Sequence, residues 1–188
     1  MSASDTLPVT QFMSWIGGVD LFASTPGSAQ PNVIVHLARS VTTPLGTAPS
    51  GLVFFQPDSS KPPKFAGFVS SDPKIGAYFG PKIFAGTPFE KMPVLKAKIE
   101  IVETAKMVSA KVSFENFIIE TMLSDFDSLQ KIDRTMGSPM PFYQQGVEMH
   151  AKKAVLKING KKIEINQLPY TPENGGSSVW SPGGTYTR

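Results

Sequence analysis

The sequence predicts an all-β protein: a single small antiparallel β-barrel of about eight strands with one or two short helical turns. Three observations carry that expectation. Apolar and polar residues alternate with period two over several stretches, as in half-buried strands. Asn159-Gly160 sits between two such runs and supplies the positive φ angles of a type I′ hairpin turn. Helix signals are few, while 16 glycines and 17 prolines in 188 residues suit a chain of many turns. The length fits one domain, and a 40% hydrophobic content is enough to fill a core.

Taken in chain order, residues 1–10 are polar and read as a flexible N-terminal tail. The stretch 11–22 fits neither period, because Gly17 and Gly18 spoil a helix and the alternation is broken. Strands are expected over 32–41, 51–56 and 64–70. In the first, Val33, Val35, Leu37 and Val41 share a face with Arg39, and Ile34, His36, Ala38 and Ser40 share the other. Asp72-Pro73 starts a short helix and Gly80-Pro81 stops it. Residues 94–104 place Leu95, Ala97, Ile99 and Ile101 on one face, and 107–114 repeat the pattern with Val108, Ala110, Val112 and Phe114. A second helical turn is expected over 123–131, and further strands over 129–135 and 145–151. The Asn159-Gly160 hairpin closes an up-and-down meander from 94 to 167. Residues 171–188 are rich in Gly, Ser and Pro and read as a flexible C-terminal tail, leaving 11–170 as the barrel domain.

Composition excludes several chemistries. Without cysteine there is no disulfide scaffold, cysteine nucleophile or thiolate zinc site. Two histidines cannot make a three-histidine zinc site. The phosphate-cradling G-x-x-x-x-G-K-[ST], dinucleotide G-x-G-x-x-G, H-E-x-x-H, G-x-S-x-G and EF-hand patterns are all absent, so no cofactor and no metal are expected. A net charge of +3 is a weak field, and the lysines at 152, 153, 157, 161 and 162 read as a solvated hairpin rather than a nucleic-acid surface. No apolar run approaches the roughly 20 residues of a membrane span. The expectation is a cytoplasmic protein, open to homodimer formation, with an apolar small molecule as its partner.

The candidate site residues are polar groups on inward strand phases, where each must meet a ligand or satisfy another polar group. Continuing the inward phase of 107–114 brings in Asn116 and Glu120. A β-bulge near Glu115 would reverse that phase. Continuing back from Ala154 brings in Glu148 and His150, a carboxylate–imidazole pair, unless a bulge near Lys152 turns Val147 and Met149 inward instead. His36 sits among small residues that suit a cavity wall. The aromatic, breaker-rich stretch Ala77–Phe89 offers Tyr78 and Phe84 to a lid or a plug, and the loop 138–146 offers Tyr143 as a donor. Glu120, His36 and His150 are therefore the candidate catalytic groups. Asn116, Tyr143, Glu148, Tyr78 and Phe84 are the candidate substrate contacts.

The strand meander 94–167, its Asn159-Gly160 turn and the aromatic segment 77–89 together resemble the calycin-like and allene-oxide-cyclase-like small barrels. Natural-product cyclases of the Diels–Alderase type are similar. Trp15 lacks the Gly-x-Trp context of a true lipocalin. The resemblance implies a cofactor-free cyclase or isomerase that folds a polyketide- or terpenoid-like substrate inside an apolar barrel and excludes water. Two alternatives stand beside it: a non-catalytic carrier of an apolar molecule, and a β-sandwich interaction protein with a packed interior.

Overall fold

Alternation becomes strand pairing along nearly the whole chain. The computed structural model describes residues 11–78, 80, 83–136, 142–171 and 177–188. The described strands are β1 (Phe12–Ser24), β2 (Val33–Thr43), β3 (Gly46–Phe55), β4 (Phe65–Ser70), β5 (Val94–Lys96), β6 (Lys98–Glu103) and β7 (Met107–Phe114). They continue with β8 (Phe117–Phe126), β9 (Gln130–Met136), β10 (Phe142–Ile158), β11 (Lys161–Ile163), β12 (Asn166–Gln167) and β13 (Ser178–Thr187). One helix, α1 (Pro73–Tyr78), follows β4; the Asp72 carboxylate caps it by accepting from the Lys74 N–H at 2.9 Å.

The strands form one sheet in the order β5-β4-β3-β2-β1-β13-β10-β8-β7-β6, with β9 and β11 added beside β10 and β12 beside β1. The sheet curls into a nearly closed barrel of more strands than the eight expected. Its edge strand β6 comes back against β2, where Glu103 meets Arg39 at 3.8 Å. Pairing is antiparallel throughout except between β4 and β5, which run parallel, so the purely antiparallel expectation fails at that seam. Residues 123–131 do not form the expected helical turn: they end β8 and begin β9.

The larger correction is at the C-terminus. Residues 178–187 are not a tail. They form β13, which lies between β1 and β10 in the middle of the sheet. Trp15 Nε1 donates to Ser181 Oγ (2.9 Å), and Ser181 Oγ donates to the Val147 carbonyl (2.8 Å), so one serine links all three strands. The expected N-terminal tail, 1–10, and residues 172–176 lie outside the described residues.

Two cores result. The barrel interior is packed by residues from both halves of the sheet, among them Leu21, Val35, Phe65, Val112, Leu123 and Leu156, and each such side chain contributes roughly 1.5–3 kcal/mol. A second core covers part of the outer face. There Ile34, Leu52 and Phe68 alternate with inward residues of β2–β4 and are roofed by α1 and the segment after it, through Tyr78, Ile83 and Phe84.

Candidate functional site

The strand phases decide where the polar residues point, and three local devices set those phases. Between β7 and β8 the chain does not continue. Glu115, at φ 47°, and Asn116 form a two-residue hairpin turn, so Phe114 pairs with Phe117 and both face the same way. Ile119, Thr121 and Leu123 then point inward and Glu120 points outward, reversing the expected phase. Glu120 stands on the outer surface beside Lys111, 4.0 Å away. Asn116 lies in the turn, where its carbonyl accepts from Asn159 Nδ2 (3.1 Å); the Asn159 Oδ1 accepts from the Ile118 N–H (2.7 Å). Neither Asn116 nor Glu120 reaches the barrel interior.

The second device is a paired kink at Asp125, φ 61°, opposite Lys152 and Lys153. Leu123 and Phe126 both pack inward across it, as do Ala154 and Ala151. The third is an irregularity between Val147 and Met149, where β13 takes three steps from Gly183 to Trp180 against two on β10, so β10 keeps the phase set at Lys152, which is the bulge alternative that turns Met149 inward. Met149 pairs with the inward-packed Trp180, which puts His150 on the opposite, outer face with its partner Val179.

That outer face carries the site. Four cross-strand partners form a single row: His36 on β2 pairs with Asp20 on β1, Asp20 with Val179 on β13, and Val179 with His150 on β10. Cross-strand partners share a face, so the two histidines the chain owns lie on one surface, about 14 Å apart by strand spacing. His36 Nδ1 is ion-paired with Asp20 Oδ1, and both side chains keep some exposure, 32% and 24%. Burial pulls the His36 imidazole down, but the charge and hydrogen bond of Asp20 outweigh it and leave the group above the ordinary histidine value of 6.5.

His150 has its own carboxylate. Its Nδ1 lies 3.2 Å from Asp127 Oδ2, and its ring stacks on Tyr170 with centroids 4.9 Å apart and planes at 16°. Asp127 also holds Lys152 at 2.7 Å. The Lys152 contact, followed by that of His150, keeps the Asp127 carboxyl below the usual range, and Asp127 in turn raises the Lys152 ammonium. The Tyr170 hydroxyl donates to Glu148 Oε1 (2.9 Å), and the same oxygen is ion-paired with Arg134 Nη2. Glu148 is buried and Arg134 largely so, with side chains 5% and 9% exposed. The register sets Arg134 opposite Gln144 and Glu148 opposite Gln130, so the long Arg134 side chain reaches along the strands to meet Glu148.

The structure thus brings His36, Glu148 and His150 to one face, but to the outside of the barrel rather than its interior. Tyr78 and Phe84 line no mouth. They sit in the outer core, where the Tyr78 hydroxyl accepts from the Phe12 N–H (3.2 Å) and Phe84 packs on Phe68 at 5.5 Å between centroids. Tyr143, 36% exposed, stands apart from the cluster; partial burial, then a hydrogen bond with Asp133, raises its phenol. Asp20, Asp127, Arg134 and Tyr170 escaped the sequence reading. Only Asp20 had an alternation signal, and Gly17, with φ 64°, hid it by breaking the phase of β1. No group of three or more potential metal ligands gathers among the described residues. No helix of the described residues is long and apolar enough to cross a membrane.

Comparison with known proteins adds little to this geometry. No protein-family model matches the chain, and no curated protein does. Among solved structures, the chain is similar to an acetoacetate decarboxylase from Legionella pneumophila subsp. pneumophila str. Philadelphia 1. The two are 10% identical, with 100% of this chain and 88% of that one covered and a TM-score of 0.40.

Proposed function

We propose that the protein is a cofactor-free enzyme of the isomerase or cyclase type, moving a proton on an apolar small molecule held against the outer face of the barrel. The observation that supports it is the row of two carboxylate-bound histidines beside a buried Glu148–Arg134 pair. A histidine whose Nδ1 is held by a carboxylate presents Nε2 in a fixed direction, which is what a general base near neutral pH needs. In this reading His150 takes the proton, Asp127 fixes its tautomer, and Tyr170 holds the ring plane. Tyr170 is itself fixed by Glu148, whose charge Arg134 neutralises. Phe22 and the outer aromatic core flank His36 on the same face and offer the apolar wall. The substrate class is a carbonyl compound with an acidic neighbouring C–H, because transfer from carbon to imidazole requires an enolate-stabilised carbanion.

The test uses 3-cyclohexenone, whose isomerisation to the conjugated 2-enone is followed by ultraviolet absorbance. The wild-type protein is expected to exceed free imidazole at equal concentration. His150→Gln should lower the rate by about 10²-fold or more while leaving the fold intact. A rate equal to that of imidazole, or one unchanged in His150→Gln, overturns the proposal.

A further inference from the structure

The outer surface of β6, β7, β8 and β10 carries a second pattern that the acid–base site does not use. One cross-strand row reads Glu100–Lys111–Glu120–Lys157, alternating in sign across four strands. The adjacent row reads Val102–Ser109–Met122–Val155. Val102 is 57% exposed, and Glu100, Lys111 and Glu120 keep side-chain exposures of 49%, 45% and 41%. The two rows line a shallow hollow of about 500 Å³. No element of the described residues covers this face, whereas the opposite flank of the barrel has α1 and its outer core.

We infer that this face is the interface of a symmetric homodimer, and that a second copy of the chain is its occupant. The charge order decides for a second copy. Place a two-fold axis along the strands, midway between β7 and β8, and stack the two faces. The rotation exchanges β6 with β10 and β7 with β8. Glu100 then meets Lys157 of the other copy, and Lys111 meets Glu120. In the apolar row Val102 meets Val155, and Ser109 meets Met122. Every charge of the row finds its opposite and the apolar rows fall on each other, which is the self-complementarity an isologous contact requires, while Lys98 beside the row is ion-paired with Glu100 of its own chain at 2.8 Å. Had the row read Glu–Lys–Lys–Glu, the same rotation would stack like on like. Two twisted sheets can pack this way at about 30°.

Sedimentation velocity tests the inference. The wild-type chain is expected to be dimeric at micromolar concentration. Glu120→Lys alone, or Lys111→Glu alone, sets like charges across the interface twice by symmetry and should weaken the dimer by about a hundredfold or more. An equimolar mixture of the two single variants should recover a dimer, because the chain with lysine at both positions then faces the chain with glutamate at both. Repulsion within each chain persists in the mixture, so only a contact between chains can restore it. Should the charge variants lose their far-ultraviolet circular dichroism, two further variants decide. Met122→Glu, on the outer face, should be monomeric, and the double exchange Lys111→Glu with Glu120→Lys should be dimeric. A monomeric wild type, single variants that stay dimeric, or folded singles that do not recover on mixing each overturn the inference. So does a monomeric wild type that binds an anilinonaphthalene dye lost in Met122→Glu, which would mark the face as a small-molecule site.

Discussion

Removing residues 177–188 should abolish folding, although their composition reads as a dispensable tail. The segment supplies Val179 and Tyr186, 2% and 8% exposed, and Trp180, which packs on Phe126 at 5.8 Å between centroids. At roughly 1.5–3 kcal/mol per large buried apolar side chain, these three alone contribute about 5–9 kcal/mol. The whole stability of a domain is about 5–15 kcal/mol. Deletion also strips the backbone partners of β1 and of the first half of β10, leaving polar groups in the middle of the sheet unpaired. The truncated chain therefore has no stability left. A milder version, Trp180→Ala, should cost about 3–5 kcal/mol, and at about 2–4 °C per kcal/mol for a chain of this size the melting midpoint should fall by about 6–20 °C. Thermal melts by circular dichroism, with amide hydrogen exchange on β1, measure both. A truncated protein that melts cooperatively within a few degrees of the full chain refutes the central placement of β13.

Two further outcomes follow from the outer-face cluster. Glu148→Ala should destabilise by about 3–5 kcal/mol in urea titration, because Arg134 loses its carboxylate inside the protein, whereas Glu148→Leu combined with Arg134→Met should cost far less; equal losses in the single and double variants would show that the pair is not coupled. Asp20→Asn should show its largest stability deficit below about pH 6.5. Asp20 raises His36 above its unfolded value, so the protonated pair stabilises the fold fully below that value and the contribution fades as pH rises through the folded one. Melting curves on either side of neutrality check this, and a deficit that grows with pH would contradict it.

Local signals were enough wherever a strand paired with its sequence neighbour. β7 has the expected bounds, and the β10–β11 turn has Asn159 and Gly160 at φ 50° and 76°, as the type I′ expectation requires. Asp72 starts α1 as read. The largest failure lies where a distant partner decides. In β13, Pro182 falls at the irregularity against β10, where the missing N–H costs no ladder bond. Gly184 is flat because the Trp15 ring lies against it and a Cβ there would overlap the indole. Read alone, Ser-Pro-Gly-Gly signals a linker; read against Trp15, it is the groove for an aromatic ring. The same limit hid Tyr170, which follows the pairing of β12 with β1, whereas Arg134 lies in the expected strand 129–135 and only its reach to Glu148 carried no sequence signal.

An unbroken strand phase places Glu120, Glu148 and His150 in the barrel, and the two bulge alternatives, near Glu115 and near Lys152, place them outside; the structure resets the phase at both points. Glu115 at positive φ reverses the face of β8, and the Asp125 kink opposite Lys152 and Lys153 reverses that of β10, whereas the Val147–Met149 irregularity adds its residue to β13. The two reversals have a common physical consequence. A packed interior would have had to strip solvent from Glu120, Glu148 and His150 with few partners to replace it, at several kcal/mol for each charged group. Turning the strands at the first two points keeps the interior apolar and moves the ionisable groups outward. Glu120 goes to open surface beside Lys111. Glu148 and His150 go to a face that Tyr170 and Arg134 partly cover, where Glu148 is bound by both and His150 stacks on Tyr170 while remaining 20% exposed. A histidine in that position can still reach a ligand from solvent, and the carboxylate behind it keeps one nitrogen committed. In the proposed reading, that combination of partial burial and a carboxylate-held nitrogen favours His150 over Glu120 for the acid–base role.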